Sequence, residues 1–274
     1  MYGSENNRED SEPTAFRRAE KNYKLYYDNN ASFKNKKNNK KPKPVDLTEV
    51  LDFRSILECH HRNGELPHGV IVLQDKDGEE WKFTTEKEAS LRKFKSVSGS
   101  SLLRKLRWST LGLQFDWSNR NYNVSLQHNK IPEALCELAK QLAKPALPAG
   151  VEFQPEAAIV NYFASGDTLG GHLDDMEADW SKPIVSLSLG CKAIFLLGGK
   201  SREDAPIAMF LRSGDVVLMA GEARECFHGV PRIFTDKENA EIGHLEKQLT
   251  QEDDLCFLKY IQTSRININI RQVF

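Results

Sequence analysis

Strict alternation marks the stretch Arg265-Ile266-Asn267-Ile268-Asn269-Ile270-Arg271 near the end of the chain. Because successive side chains of a β-strand point to opposite faces, one face carries two arginines and two asparagines and the other carries three isoleucines. The isoleucine face has to be buried, and we expect a helix to cover it. The polar face either meets solvent, as in an ordinary edge strand, or lines the interior of a barrel. In the second case the buried guanidinium groups require an anionic partner, and a dicarboxylate fits that requirement.

Short apolar runs fill the part of the chain that leads to this strand. They are separated by Gly, Pro and Asp, and they cover residues 157–163, 184–189, 193–197, 208–211, 216–219, 227–230 and 266–274. Many short strands with turn residues between them favour an antiparallel sandwich or jelly roll over alternating βαβ units. Residues 235–262 interrupt the series with helix-forming and acidic residues. We therefore predict a mostly β core over residues 153–274, with flanking helices and a helical insertion at 235–262 before the last strand.

The first 45 residues differ from this core in composition. They mix Asn, Lys, Ser and Pro with few aliphatic residues, which is typical of disordered segments. Ten basic and two acidic residues lie between positions 17 and 43, which gives this stretch a net charge of +8. We predict a basic, disordered tail over 1–45, helical at most around 16–27, that attracts phosphates and adds nothing to the core. The lysine pairs at 36–37 and 40–41 are also typical of a nuclear localisation signal.

Residues 46–152 form an N-terminal extension between the tail and the core. Asp46 resembles the N-cap of a helix with apolar residues at 50, 53 and 57 and a stop at Gly64. The dipeptide Asp77-Gly78 predicts a hairpin between strands at 70–73 and 81–84. The aromatic stretch 106–117 indicates an extended strand or a lid that recognises a ligand. The apolar periodicity of 131–142 indicates a helix that supports the sheet.

Composition and cysteine usage exclude several classes of protein. The 274 residues are 39% hydrophobic and 28% charged, which is typical of a soluble globular protein, and no apolar run approaches the ~20 residues of a membrane span. The five cysteines show no C-x-x-C spacing, which argues against a disulfide scaffold or a zinc knuckle and favours a reducing compartment. Four acidic residues among the first twelve give no support for organelle import. We expect a protein of the nucleus and cytoplasm with no membrane contact.

His172 and Asp174 carry the clearest signal of metal chemistry. In a strand, an H-x-D pair presents an imidazole and a carboxylate on one face, and non-haem Fe(II) oxygenases combine such a pair with a second histidine. His228 is the best third ligand, because the other histidines lie outside the strand-rich half or within the insertion. H-x-D pairs also occur on solvated loops and in metallohydrolases, so the ligand set by itself leaves the chemistry open.

Several motifs taken together resemble those of the AlkB nucleic-acid dioxygenases. In chain order they are Asn161-Tyr162-Phe163, Gly171-His172-Leu173-Asp174, Lys182-Pro183-Ile184-Val185-Ser186, Ala193-Ile194-Phe195-Leu196-Leu197-Gly198-Gly199, Ser213-Gly214-Asp215-Val216-Val217, His228 and the terminal R-x-N-x-N-x-R. Their order is unbroken from 106 to 274, and they are most similar to the AlkB homologue 1 branch. The resemblance implies a double-stranded β-helix, or jelly roll, that binds Fe(II) and 2-oxoglutarate.

The resemblance also implies roles for individual residues. The iron ligands, which are the catalytic residues, would be His172, Asp174 and His228. The residues around 2-oxoglutarate would be Asn161, Phe163, Arg265, Asn267 and Arg271. The substrate-contacting positions of the family fall on Trp108, Phe115 and Arg202.

Three positions depart from the family pattern. Phe163 stands where many relatives have a tyrosine, so one hydrogen bond to 2-oxoglutarate is missing. Asn269 replaces a frequent threonine, and Met176 stands where some relatives carry an acid that reads the target base. The base preference of the family therefore does not transfer to this chain.

The activity that the resemblance implies is oxidative demethylation of N-methylated bases in nucleic acid, with O2 consumed and formaldehyde, succinate and CO2 released. The base has to be single-stranded or flipped out of a duplex to be reached. N6-methyladenine in DNA and methylated bases in tRNA are the leading substrates, and a monomer is the expected state. Two alternatives are a metallohydrolase, which has no use for the arginine and asparagine ladder, and a catalytically inactive nucleic-acid-binding module, which would lack the metal ligands.

Overall fold

The structure is a computed structural model that describes residues 12–26, 43–55, 106–116, 118–235, 240, 242–248 and 255–274. The hairpin predicted around Asp77-Gly78, the helix end predicted at Gly64 and the lysine pairs at 36–37 and 40–41 lie outside these residues. No helix in the described part of the chain is both long enough and apolar enough to cross a bilayer. None of the described cysteines takes part in a disulfide.

Strands outnumber helices among the described elements. The helices are α1 (Ala15–Tyr23), α2 (Glu133–Ala143), α3 (Gly243–Gln248) and α4 (Leu255–Ile261). The strands are β1 (Trp108–Gly112), β2 (Gln114–Asp116), β3 (Asn121–Asn123), β4 (Ala157–Phe163), β5 (Leu169–His172), β6 (Ile184–Gly190), β7 (Ala193–Leu197), β8 (Ile207–Leu211), β9 (Val216–Met219), β10 (His228–Ile233) and β11 (Arg265–Arg271). Helices α3 and α4 fall within the predicted insertion at 235–262.

Two antiparallel sheets build the core. The large sheet has the strand order β1-β4-β11-β6-β9, and the small sheet has the order β5-β10-β7-β8. Strands β2 and β3 form a separate hairpin. Every pairing between these strands is antiparallel. This topology confirms the predicted jelly roll.

Strand β11 lies in the middle of the large sheet, paired with β4 on one side and β6 on the other. Its residues Ile268 and Ile270 pack with Leu142 and Ala143 of α2, which confirms that a helix covers the isoleucine face. The polar residues of β11 lie on the opposite face and are largely buried. The edge-strand alternative is therefore wrong, because both edges of β11 are hydrogen-bonded to neighbours.

The interior between the two sheets is apolar over much of its extent. Phe163 and Ile184 from the large sheet pack with Phe195, Leu211 and Val230 from the small sheet. Burying side chains of this size stabilises a fold by roughly 1.5–3 kcal/mol each. The sheets are therefore held face to face, with the polar face of β11 enclosed beside this cluster.

Helix α1 lies where the tail was predicted to be helical, around 16–27, but its packing corrects the prediction that this segment adds nothing to the core. Thr14 caps it by accepting a hydrogen bond from the backbone of Arg17 at 3.2 Å. Its residue Phe16 is completely buried against Ile194 and Leu196 of the small sheet. The composition of the segment concealed this packing, because a helix needs only a few apolar residues on one face to dock. At least Ala15–Tyr23 is part of the core.

We predict that Phe16→Ala lowers the free energy of unfolding by about 3–5 kcal/mol, because it leaves a cavity behind the small sheet. Urea denaturation followed by circular dichroism measures the change. Lys21→Ala, on the exposed side of the same helix, is the control and should shift stability by at most ~0.5 kcal/mol. Equal midpoints for Phe16→Ala and wild type would show that α1 does not pack in solution.

The helix predicted to start at Asp46 begins later. Asp46 caps only a turn, accepting from the backbone of Thr48 at 2.9 Å. Leu51 then pairs with the edge strand β8, donating to the carbonyl of Ala208 at 2.9 Å. Helical residues start at 53, where Asp52 accepts from the backbone of Arg54. The prediction was wrong about the start because the sheet edge uses the backbone groups that a helix would need.

Gly112 separates the aromatic stretch 106–116 into two strands. It has a φ of 68°, and a Cβ atom there would lie 2.1 Å from the carbonyl oxygen of Glu156. Only glycine tolerates both the left-handed backbone and this close approach. The chain therefore turns from β1, on the edge of the large sheet, into β2 of the hairpin.

Candidate active site

Two histidines and one carboxylate converge at the junction of β5 and β10. His172 ends β5, His228 begins β10, and the two stand directly opposite each other in the antiparallel register. Their ring centroids are 4.4 Å apart. Asp174 places its carboxylate oxygens 3.7 Å from Nε2 of His172 and 3.5 Å from Nε2 of His228. In the described part of the chain, these three residues form a group whose potential ligand atoms all lie within 4.8 Å of one another. We call these three residues the metal group.

Backbone carbonyls orient both imidazole rings. With a proton on Nδ1, His172 donates to the carbonyl of Gly170 at 2.9 Å and His228 donates to the carbonyl of Cys226 at 3.2 Å. In each case the acceptor lies two residues earlier in the chain. This arrangement leaves Nε2 of both rings as the free lone pair facing Asp174, which is the usual way of orienting a metal-binding histidine.

The charges of His172 and Asp174 suit a divalent metal. Burial lowers the pKa of His172, and the neighbouring His228 lowers it further. Burial opposes the ionisation of Asp174, but Arg271 and the two histidines outweigh it and hold the pKa of this carboxyl far below its usual range. Neutral imidazole and ionised carboxylate are the forms that coordinate metal ions.

A buried ionic network holds the loop that carries Asp174. Arg224 donates to the main-chain carbonyl of Asp174 and to the carboxylate of Glu177 at 2.5 Å. Glu177 also pairs with Nε of Arg271 at 3.3 Å and accepts from the hydroxyl of Tyr122 at 3.3 Å. Arg224 and Glu177 were not predicted from the sequence, since no spacing marks them and only their burial distinguishes them from solvated charges.

The two arginines of β11 differ in their partners. Arg271 lies 3.0 Å from the carboxylate of Asp174. Arg265 is 1% exposed, donates to the hydroxyl of Ser188 at 2.9 Å and lies over the ring of Phe163, but its Nε and one terminal nitrogen have no hydrogen-bond partner among the described residues. Burial lowers the pKa of Arg265 to about 10. A buried guanidinium without a carboxylate is the feature expected of a site that receives an anionic ligand.

The asparagines of the polar face continue from Arg265 along the same strand. Asn267 donates to the hydroxyl of Ser186 at 2.9 Å and to the carbonyl of Leu187 at 3.0 Å. Asn269 donates to the side-chain oxygen of Asn267 at 3.1 Å. Asn161 stands opposite Asn267 on the neighbouring strand β4. The structure thus brings the predicted 2-oxoglutarate residues together on β4 and β11, and their contact with the cosubstrate stays a prediction.

Two of the predicted substrate-contacting residues lie at the β1 and β2 side of the molecule. Trp108 begins β1, is 54% exposed and is the register partner of Asn161. Phe115 lies on β2 and packs edge-to-face against Tyr122 of β3, with ring centroids 5.3 Å apart. The hydroxyl of Tyr122 accepts from Arg271 at 3.3 Å, so the β2–β3 hairpin contacts the polar face of β11. Tyr122 was not among the site residues predicted from the sequence.

Arg202, the third predicted substrate contact, has partners of its own within the protein. It donates to the carbonyl of Gly171 at 2.6 Å, and its guanidinium stacks on the ring of Phe227 at 4.6 Å from the centroid. Gly171 and Phe227 directly precede the two histidines of the metal group. The structure therefore places Arg202 against the two residues that precede the metal-group histidines, and its contact with substrate stays a prediction.

Comparison with known proteins agrees with this geometry. A sequence model of the 2OG-Fe(II) oxygenase superfamily matches residues 72–271, which is more than half of the chain. The chain belongs to the 2OG-Fe(II) oxygenase superfamily. Two features described above suit an oxygenase of this kind. The two histidines and one carboxylate can bind Fe(II), and the buried arginine without a carboxylate partner can bind an anionic cosubstrate.

Three relatives show where this oxygenase stands in the superfamily. It is 53% identical to the DNA N(6)-methyladenine demethylase ALKBH1A of Arabidopsis thaliana, with 100% of both chains covered. It is 38% identical to the nucleic acid dioxygenase ALKBH1 of Homo sapiens, over 70% of this chain and 51% of the relative. It is also 38% identical to the tRNA demethylase abh1 of Schizosaccharomyces pombe, over 62% of this chain and 53% of the relative. The chain therefore spans the whole of the plant relative and about half of the other two.

The cofactors of the superfamily fit the residues that are present. His172, Asp174 and His228 would hold Fe(II), and Arg265 offers the unpaired guanidinium that a carboxylate of 2-oxoglutarate requires. When bound, iron and 2-oxoglutarate would supply the oxidising chemistry, in which O2 is consumed and 2-oxoglutarate is converted into succinate and CO2. The chain is thus a 2-oxoglutarate-dependent dioxygenase, which excludes the metallohydrolase alternative. The convergence of all three ligands argues equally against an inactive binding module.

Proposed function

We propose that this dioxygenase removes methyl groups from the nitrogens of nucleic-acid bases. The leading candidate substrate is N6-methyladenine in DNA. The observation that carries the proposal is the full-length, 53% identical relative named as a DNA N(6)-methyladenine demethylase. The metal group and the unpaired Arg265 supply the matching chemistry. Demethylation of tRNA is the second candidate, supported by the relative of that name in fission yeast.

The chain's own residues bind and orient the substrate in this proposal. A methylated base has to leave its stack before it can approach the metal group, and exposed aromatic side chains are the usual platforms for such a base. Trp108 is the exposed aromatic that lies in register with the predicted 2-oxoglutarate residue Asn161. Arg265 is 1% exposed, and its pairing with an anion is stronger in such a buried environment than in water.

Nucleoside mass spectrometry tests the substrate assignment. The full chain is incubated with Fe(II), 2-oxoglutarate and methylated oligonucleotides: single-stranded DNA, fully paired DNA and tRNA. We expect loss of N6-methyladenine from single-stranded DNA, slower loss from paired DNA and one formaldehyde released per methyl group. Loss of methyl groups only from tRNA would replace DNA with tRNA as the substrate. Turnover of 2-oxoglutarate without demethylation of any of the three would reject nucleic acid.

We predict that Trp108→Ala weakens substrate binding by about 5- to 150-fold, which corresponds to the ~1–3 kcal/mol of one base–aromatic stack. The Michaelis constant for the oligonucleotide should rise, while 2-oxoglutarate affinity stays unchanged. Ile207→Ala is the control, since Ile207 is equally exposed at 55% and lies on the edge of the small sheet. An unchanged Michaelis constant for Trp108→Ala would show that this residue has no role in binding the base.

We propose further that the lysines at 36, 37, 40 and 41 attract phosphates, and that the protein acts as a monomer in nucleus and cytoplasm. The association constant for a single-stranded oligonucleotide falls as the salt concentration rises. If all four lysines contact the strand, their replacement by alanine reduces the magnitude of the slope of the logarithm of this constant against the logarithm of the salt concentration by ~3. An unchanged slope, together with loss of nuclear signal from the tagged variant in cells, would assign the lysines to import. Light scattering of the purified full chain measures its mass and tests the monomer.

A further inference from the structure

Strand β5 contains an irregularity immediately before the metal-binding histidine. His228 pairs with His172 and Val230 pairs with Leu169, so one residue of β10 stands opposite two residues of β5. These two residues are Gly170 and Gly171. A β-bulge of this kind bends its strand and changes the direction of the next side chain, which here is His172. The orientation of the His172 ring toward Asp174 and His228 therefore depends on the geometry of the bulge.

Side chains from distant parts of the sequence hold the polar groups of the bulge. The N–H of Gly171 donates to the carboxylate of Glu20 at 2.6 Å, and the carbonyl of Gly171 accepts from Arg202 at 2.6 Å. The carbonyl of Gly170 accepts from the ring of His172 itself. The bond from the N–H of Gly171 is charge-assisted because its acceptor is a carboxylate. It is also shielded from water, because Glu20 is only 6% exposed.

Helix α1 also packs directly behind the bulge. A Cβ atom at Gly171 would lie 2.4 Å from the ring of Phe16, and one at Gly198 would lie 2.9 Å from the same ring. The backbone N–H of Phe16 donates to the carbonyl of Arg202 at 3.0 Å. Phe16, Glu20 and Arg202 therefore form one assembly on the outer face of the small sheet, opposite the metal group. We call it the α1 clamp.

We infer that the α1 clamp positions His172 for metal binding, with Glu20 as its principal residue. Phe16 and Glu20 thereby help to orient a metal ligand that lies some 150 residues further along the chain. The physical reason is that the N–H of Gly171 faces away from the strand ladder at the bulge and needs a buried acceptor. Without that acceptor the bulge relaxes, and His172 loses the orientation that its bond to Gly170 alone does not fix.

Metal affinity measured without nucleic acid tests the inference. The full chain is titrated with Mn(II), and free metal is followed by electron paramagnetic resonance at a temperature where every variant is folded. We expect Glu20→Ala to raise the Mn(II) dissociation constant by about 10-fold or more, the range typical of residues that orient metal ligands. Glu20→Gln keeps a side-chain oxygen for the N–H of Gly171, so it should restore affinity to within about threefold.

Two further variants complete the experiment. Glu12→Gln makes the same chemical change at an exposed position before α1 and should leave Mn(II) affinity unchanged. Arg202→Ala removes the exposed partner of Gly171 and should weaken Mn(II) binding by a smaller factor than Glu20→Ala, because water can replace an exposed donor. If Glu20→Ala fails to fold, Arg202→Ala remains a test, since its side chain lies outside the core.

Wild-type Mn(II) affinity in folded Glu20→Ala would overturn the inference, and so would equal weakening by Glu20→Gln and Glu20→Ala. If Glu20→Ala does not fold, wild-type affinity in Arg202→Ala overturns it. A clamp that served stability alone would lower the unfolding midpoint and leave the metal affinity of the folded protein unchanged. The readout requires no methylated base, so it is independent of whether the proposed demethylation is correct.

Discussion

His172→Ala is expected to reduce succinate formation from 2-oxoglutarate to the uncatalysed background. The imidazole supplies one of the three converging ligand atoms, and removing a ligand acts on the metal directly. The loss should therefore exceed the ~10–100-fold typical of residues that only orient a ligand. Asp174→Ala should be equally inactive, but it also removes the partner of Arg271 at 3.0 Å and so affects a buried ion pair. His172→Ala is thus the cleaner of the two variants.

Succinate release and Mn(II) titration on the same preparations check this prediction. The fold of His172→Ala should remain intact, because the side chain is 35% exposed and fills no part of the apolar core. His128→Ala removes an exposed histidine from a loop outside the site and serves as the control. Wild-type succinate production by His172→Ala would remove this residue from the metal group.

Arg265→Met is expected to separate cosubstrate binding from folding. Losing a buried guanidinium that pairs with a ligand carboxylate costs about 2–5 kcal/mol, so 2-oxoglutarate should bind at least ~30-fold more weakly. The ligand-free protein should nevertheless be as stable as wild type or more stable, because Arg265 has no carboxylate partner among the residues that the structure describes. Replacing a buried charge by an apolar side chain of similar volume is often neutral or stabilising by ~1–4 kcal/mol.

Arg212→Met provides a matched control for this variant. Arg212 is also mostly buried, but it pairs with the carboxylate of Asp52 at 2.7 Å. Its removal should lower stability and leave 2-oxoglutarate affinity unchanged, which is the opposite pattern. Calorimetric titration with Mn(II) present measures the affinity, and urea denaturation of the ligand-free proteins measures the stability. An unchanged dissociation constant for Arg265→Met would assign this arginine to structure alone.

Local patterns in the sequence predicted seven core strands, β4 and β6 to β11, and the members of the candidate metal site, but they did not predict β5 or the β2–β3 hairpin. The alternation of Arg265–Arg271 determines which side chains share a face, because the two-residue period of a strand is a property of the backbone. The spacing of His172 and Asp174, with His228 as the best third histidine, predicted the members of the ligand group. Asp174 lies in the loop after β5, however, and not on the strand face that the spacing implied. The apolar periodicity of 131–142 likewise predicted α2 and its packing on the isoleucines.

Tertiary structure alone decided which charged residues are buried and what they contact. Arg265 and Arg271 occupy equivalent positions in the alternation. Within the described part of the chain, Arg271 alone of the two has carboxylate partners, because the loop after β5 folds over one end of β11. Glu20 sits in a segment whose composition predicts disorder, and its role depends on a backbone N–H some 150 residues away. No local period encodes such contacts, since burial of a polar group is set by whichever distant partner satisfies it.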